Sequence, residues 1–279
     1  MDSLLRVHDL HVDFQRQGAR VEAVRGVSFE LGRERLAVVG ESGSGKSVTF
    51  RALLGLLPAR QAQVRGSVQL GGQPENLLQL PAARLTRIRG REIGMIIQDP
   101  RQGLNPMRTV ASQLDEMLRL HTRLDAGQRR QRARELLDDV EIRDPERVLR
   151  LYPHEVSGGM GQRIMIAMML AGEPRILIAD EATSALDSVS RNTIMGLLQA
   201  QVRKRDMGLV LISHDLDLVA AQADRVLVMY AGRIVESLDA ARLDQAQHPY
   251  TRGLLACRPS LARAGQRLEV LRREAAWSL

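Results

Sequence analysis

RLAVVGESGSGKSVTF, residues 35–50, decides the fold. Arg35 to Val39 is a short apolar strand that runs straight into a glycine-rich turn. Val48 to Leu57 continues with helical character and stops before Pro58. Between them, Gly40-Glu41-Ser42-Gly43-Ser44-Gly45-Lys46-Ser47 fills the spacing G-x-x-x-x-G-K-[ST] at every position. Glycines in this pattern let backbone N–H groups turn inward around a β-phosphate, and the helix that follows aims its positive N-terminal dipole at the same anion. Lys46 is then suited to bridge the β- and γ-phosphates, and the Ser47 hydroxyl to ligate Mg²⁺. A glycine-rich turn that binds nothing has no need of all eight positions with a strand before and a helix after.

Working outward, Ile176 to Ala179 is a continuous apolar strand suited to the centre of a parallel sheet, and it ends in Asp180-Glu181. Two carboxylates at the end of a buried strand are costly unless they act. Asp180 can hold Mg²⁺ through water, and Glu181 can polarise an attacking water as general base. Leu5, Val7, Leu10, Val12 and Phe14 alternate as a first strand, Val21 to Leu31 contains a second, and Gly66 to Leu70 suggests another. Ile93 to Ile97 is a buried strand ending at Gln98, and from Pro100 to Gly172 the spacing turns helical. Ile194 to Val202 and Leu216 to Ala223 read as helices, Leu209 to Ile212 as a buried strand, and Val226 to Met229 with Arg233 to Glu236 as a strand pair around Ala231-Gly232. The reading is a β-rich start, an α/β core interrupted by a helical insertion, and a tail from about Leu243.

Composition narrows the function. Hydrophobic residues make up 44% of the 279, enough for a packed core, while aromatics are only 3%, so Leu, Val, Ile, Ala and Met must build it. The net charge of +7 comes almost wholly from Arg, since Lys46 and Lys204 are the only lysines. These charges are interleaved with Glu and Asp, as from Arg129 to Asp139, and form no aromatic-studded basic patch, so no nucleic-acid partner is expected. Cys257 is the single cysteine, which excludes a disulfide within the chain and a cysteine-based metal cluster built from it alone. The first residues lack the apolar core of a signal peptide, and the longest apolar run, Ile164 to Ala171, falls well short of the ~20 residues of a membrane span. The expectation is a cytosolic protein that meets a membrane only through partners.

Val156-Ser157-Gly158-Gly159-Met160-Gly161-Gln162-Arg163 is a second set of glycines ahead of an apolar helix, and so a second anion-binding helix start. One nucleotide rarely needs two cradles in one chain, so this one is suited to a nucleotide held by another subunit. In this order and context the segment resembles the signature motif of the ABC ATPases. The resemblance implies an α/β P-loop NTPase (RecA-like) core with an N-terminal antiparallel β subdomain and an inserted α-helical subdomain at about 100–172. It covers about 4–259, and the expected organisation is an ATPase domain over 1–259 with a short tail at 260–279.

The resemblance carries further residues. Gln98 resembles the glutamine that senses Mg²⁺ and water and links to a transmembrane partner. Ser184-Ala185-Leu186-Asp187 is similar to the D-loop at a dimer interface. His214 is similar to the switch histidine that contacts the γ-phosphate. Phe14 is either the aromatic that stacks on adenine in this family or a core residue of the first strand.

Gln98-Asp99-Pro100, Leu104-Asn105-Pro106, Ser157-Gly158-Gly159-Met160 and His248-Pro249-Tyr250-Thr251-Arg252-Gly253-Leu254-Leu255 resemble the oligopeptide, dipeptide and nickel importer group. The last of these reads as a surface segment without catalytic logic of its own. Met160, Gly161 and Ala182 depart from the family's usual Gln, Arg and Pro; Gly161 is expected to loosen the start of the signature helix. The short tail and single cysteine lean toward the nickel or metal-chelate branch.

What the resemblance implies is a subunit that hydrolyses ATP with Mg²⁺ on the cytoplasmic face of the inner membrane. Its implied partners are a second, distinct ABC ATPase, two transmembrane permease subunits and an extracytoplasmic substrate-binding protein. The alternatives are a soluble ABC ATPase of DNA repair or translation, which the chain length disfavours, and an exporter subunit.

Overall fold

The computed structural model describes residues 3–16, 19–184, 187–257 and 277. In chain order the strands are β1 (Leu5–Arg16), β2 (Ala19–Leu31), β3 (Arg35–Val39), β4 (Ala62–Leu70), β5 (Ile93–Ile96), β6 (Ile176–Asp180), β7 (Gly208–Ile212), β8 (Arg225–Tyr230) and β9 (Arg233–Asp239). The α-helices are α1 (Lys46–Leu53), α2 (Ala82–Ile88), α3 (Pro100–Gly103), α4 (Val110–His121), α5 (Ala126–Asp139), α6 (Pro145–Arg150), α7 (Gly158–Leu170), α8 (Ser188–Lys204), α9 (Leu216–Gln222) and α10 (Pro249–Ala256). The chain divides into two compact units, Met1–Leu80 with Val210–Leu279, and Pro81–Leu209.

In the first unit, β1 pairs antiparallel with both β2 and β4 in a three-stranded sheet of order β2-β1-β4. Leu5, Val7, Leu10 and Val12 are all buried although Val7 and Leu10 are three apart. A register shift between them, with Asp9 at φ 48°, resets the pleat so that both reach the core. β4 begins at Ala62, four residues before the expected Gly66, because Val64 and Ala62 continue the ladder opposite Val12 and Phe14. β3 runs parallel to β8, and β8 turns back antiparallel into β9 at Ala231 (φ 46°) and Gly232 (φ 83°). α1 is shorter than its apolar sequence suggests and ends by Leu54, with Gly55 left-handed at φ 59° ahead of Pro58.

The second unit holds β5 and β6, paired in parallel, and the helices α2 to α8. Side-chain caps start these helices where the sequence offers Thr109, Asp125, Asp144, Ser157 and Asp187. Asp139, at the end of α5, holds the end of α8 through Lys204 at 2.8 Å and Arg205 at 2.6 Å.

Candidate active site

The glycine-rich turn after β3 is shaped by its surroundings in the first unit. Gly40 has φ 149°, and a Cβ there would lie 2.2 Å from the Met229 carbonyl oxygen of β8. Gly45 (φ 100°) caps α1 and approaches the Ala23 carbonyl so closely that a Cβ would meet it at 2.6 Å. Lys46 is 5% exposed, and its ammonium donates to the carbonyls of Gly40 and Glu41 at 2.8 Å each, drawing the turn around itself. Thr49 Oγ1 donates to the Gly45 carbonyl at 2.9 Å, and Gly232 N–H donates to the Ser44 carbonyl at 3.0 Å. Ser42, Gly43 and Ser47 complete the loop, with Gly43 at φ 84° facing open space.

His214 stands exposed after β7. The Ser213 N–H beside it donates to the Val38 carbonyl at 3.1 Å, and Asp215 caps α9. Gly40, Glu41 and His214 line one cavity of about 440 Å³, together with Asp215, Leu216, Leu254 of α10 and Cys257 just past its end. The structure thus brings the loop and His214 together.

Phe14 is half-buried on β1, between Val21 and Ala62 on the neighbouring strands. Beside it, Asp13 is 3% exposed and accepts from Arg20 at 2.8 Å and Arg65 at 3.0 Å. The Arg20 hydrogen bond, partly offset by burial, holds the Asp13 carboxyl below its ordinary value. No local pattern announces this clamp, because its three members come from β1, β2 and β4.

In the second unit, Asp180 ends β6 and is 2% exposed. Glu181 follows at φ 49°, a left-handed backbone rare for a side chain of this kind, and its carbonyl accepts from Ser184 N–H at 3.0 Å. The last paired residues of β5 and β6 are Ile96 and Ala179. Two steps beyond them lie Gln98, which is exposed, and Glu181. Asp99 caps α3 by accepting from Arg101 N–H at 2.9 Å, and Asn105 is held by buried Gln113 at 2.8 Å.

Ser157 starts α7: its Oγ accepts from Met160 N–H at 3.3 Å, and its carbonyl accepts from Gly161 N–H at 2.8 Å. A Cβ at Gly158 or Gly159 would meet no atom of the described residues within 4 Å. Gly161 is different. It is buried, and a Cβ there would meet the Pro100 ring at 3.4 Å, an ordinary contact. Asp187 caps α8 through Val189 N–H at 3.1 Å and Ser190 N–H at 3.0 Å; hydrogen bonds from Ser190 hold its carboxyl below the ordinary value. Ala185 and Leu186 lie outside the described residues, as does the tail beyond Cys257 except Trp277.

The segment at 248–255 is not the surface feature its polarity suggests. Tyr250 and Thr251 are both 0% exposed, and the Tyr250 hydroxyl accepts from Glu41 N–H at 2.9 Å. The pairing of this tyrosine with the loop is the main feature that sequence reasoning missed. Two residues 209 apart leave no local signal.

Among the described residues no helix is long and apolar enough to cross a membrane. The profile described as "ABC transporter" matches residues 24–184. A Brucella abortus protein named for peptide import and ATP binding is 49% identical over 260 residues, covering 92% of this chain and 78% of its own. The dipeptide transport ATP-binding protein DppD of Bacillus subtilis is 46% identical over 272 residues, covering 96% and 80%. Among solved structures, an ATP-binding cassette seen as a dimer in a post-hydrolysis state with ADP and Pi matches with TM-score 0.74 at 27% identity, over 85% of this chain and 98% of that one.

Proposed function

The chain belongs to the ABC transporter family, and we propose that it is the ATP-binding subunit of a peptide importer. Its fold is the α/β P-loop NTPase cassette with an antiparallel sheet and a helical part that the sequence implied. It is an ATPase whose hydrolysis is coupled to transport. The relatives compared above are named for peptide or dipeptide transport, and they favour peptides over nickel as cargo.

One observation carries the reading of a two-subunit site. Gly158 and Gly159 begin a helix, where glycine is unfavourable, yet none of the described residues would touch a side chain there. Their bareness suits the approach of a nucleotide held by a partner ATPase, and we take that partner to be a similar but distinct chain.

In the mechanism, Lys46 exchanges the carbonyls of Gly40 and Glu41 for phosphate oxygens, while the loop N–H groups and the start of α1 hold the β-phosphate. His214 contacts the γ-phosphate from the shared cavity. Glu181 takes the proton of the attacking water, its strained backbone fixing where the carboxylate sits. Ser157, Gly158 and Gly159 of one subunit close over the nucleotide of the other, and Asp187 lies at that interface. Ser47, Gln98 and Asp180 offer hydroxyl, amide and carboxylate oxygens, a donor set that suits Mg²⁺. Bound there, Mg²⁺ would neutralise charge developing on the phosphates. Phe14, half-buried on β1, keeps ring surface on which adenine could stack, the alternative being a core residue of that strand. Gln98 passes closure to two permease subunits at the cytoplasmic face of the inner membrane, which an extracytoplasmic binding protein supplies.

The test is Glu181→Gln. It should retain ATP binding and lose turnover by about 10²-fold or more, the usual weight of a general base. Turnover at the level of the unmodified protein would remove Glu181 from that role. Tagged Glu181→Gln protein, captured with MgATP from detergent-solubilised membranes, should bring two permease chains and a second ATPase. Recovery of ribosomes or nucleic acid without an integral membrane protein would favour the soluble alternative.

A further inference from the structure

The His248-Pro249-Tyr250 segment plays no part in the mechanism above, yet its residues reach the phosphate loop. Glu236 Oε1 accepts from the N–H groups of Gln247 at 2.6 Å and His248 at 3.2 Å, fixing the chain just before α10. His248 Nδ1 accepts from Tyr250 N–H at 3.2 Å and so caps the helix, while Pro249 occupies its first turn, where no N–H is missed. This start directs the Tyr250 ring inward. The ring lies 4.4 Å from that of Tyr230 at the end of β8, and 5.9 Å from that of Trp277. Its hydroxyl, at the inner end, accepts the Glu41 N–H.

Tyr230 leads directly into the turn whose Gly232 N–H donates to the Ser44 carbonyl. One aromatic pair therefore backs two separate attachments of the loop, at Glu41 and at Ser44. Fixing the Glu41 amide orients the peptide between Gly40 and Glu41, and both carbonyls that hold the Lys46 ammonium belong to these residues. We propose that Tyr250 is a positioning residue for nucleotide binding: it pre-sets the first turn of the phosphate loop from the C-terminal helix. This rests on the reading of the loop as a nucleotide site. A loop held in its binding shape loses less freedom when phosphate arrives, and so binds it more tightly.

Tyr250→Phe removes the acceptor and keeps the ring. The Kd values for ADP and MgATP should each rise about fivefold, the factor of one net hydrogen bond. The Kd for AMP, which lacks the β-phosphate, should not change, and KM for ATP should rise with kcat kept. Emission of the single tryptophan, Trp277, should be unaltered if the aromatic cluster stays packed. A merely structural role predicts unchanged affinities in the folded variant, or equal weakening for all three nucleotides; either result overturns the proposal. If Tyr250→Phe does not fold, Glu236→Ala frees the start of α10 and should weaken ADP more than AMP, and equal effects would again overturn it. Failure of the unmodified protein to bind ADP or MgATP would instead defeat the nucleotide-site reading itself.

Discussion

Replacing Gly159 with alanine separates the demands of the chain from the demands of its partner. Gly159 is the second residue of α7, its backbone is helical, and a Cβ there would meet no atom of the described residues within 4 Å. Alanine is favoured over glycine in a helix interior by about 0.5–1 kcal/mol, and near the helix start about half of that is realised. The isolated subunit should therefore gain about 0.5 kcal/mol, or roughly 1–2 °C in its thermal midpoint. On the proposed two-subunit reading, the same methyl in the assembled transporter would stand where a partner's nucleotide packs. Losing one such contact to a developing anion costs about 2.7–4 kcal/mol, so turnover at saturating MgATP should fall about 10²- to 10³-fold. The assays are thermal unfolding of the nucleotide-free subunit and phosphate release by the complex in proteoliposomes. A lowered midpoint would refute the open-space argument, and unchanged turnover would refute the interface role. The neighbouring Ser157→Ala gives a control of opposite sign, because it removes the cap on Met160 N–H and should cost about 1 kcal/mol of stability.

Gly40→Ala should destabilise the subunit by about 2 kcal/mol or more, since the residue sits at φ 149° and its new Cβ would lie 2.2 Å from a strand carbonyl; a loss under about 0.5 kcal/mol in urea titration would mean that β8 yields freely. Asp13→Asn should cost about 1 kcal/mol at neutral pH, because Arg20 and Arg65, both half-exposed, regain water when the carboxylate is lost. The folded carboxyl titrates below its ordinary value of 3.8, so its stabilising effect is complete above that value and fades as the pH falls through the lower folded value. The gap between the unmodified protein and Asp13→Asn in urea midpoint should accordingly be constant above about pH 5 and narrow below 3.8; a gap independent of pH would show that the charge is irrelevant.

The glycine-rich loop was legible because all of its parts are consecutive residues. Strand end, glycines, lysine and helix start must follow one another in the chain, and Gly40 to Ser47 record that order directly. Ser157 to Met160 were legible for the same reason: a cap, two glycines and a helix form one short unit. The supports of these sites obey no such rule. Asp13 is clamped by arginines on two other strands, Val7 and Leu10 share a face only because a bulge intervenes, and β4 lengthens because a neighbour extends its ladder. Tyr250 is the extreme case. A tyrosine among polar residues gives a weak signal of its own, since its ring suits a surface or a core equally well. Its position is decided by β8 bringing Tyr230 alongside and by β3 delivering Glu41 to its hydroxyl. Loops and helix starts built from neighbouring residues leave their pattern in the sequence, whereas the groups that hold them are ordered by the sheet, which gathers residues from both ends of the chain.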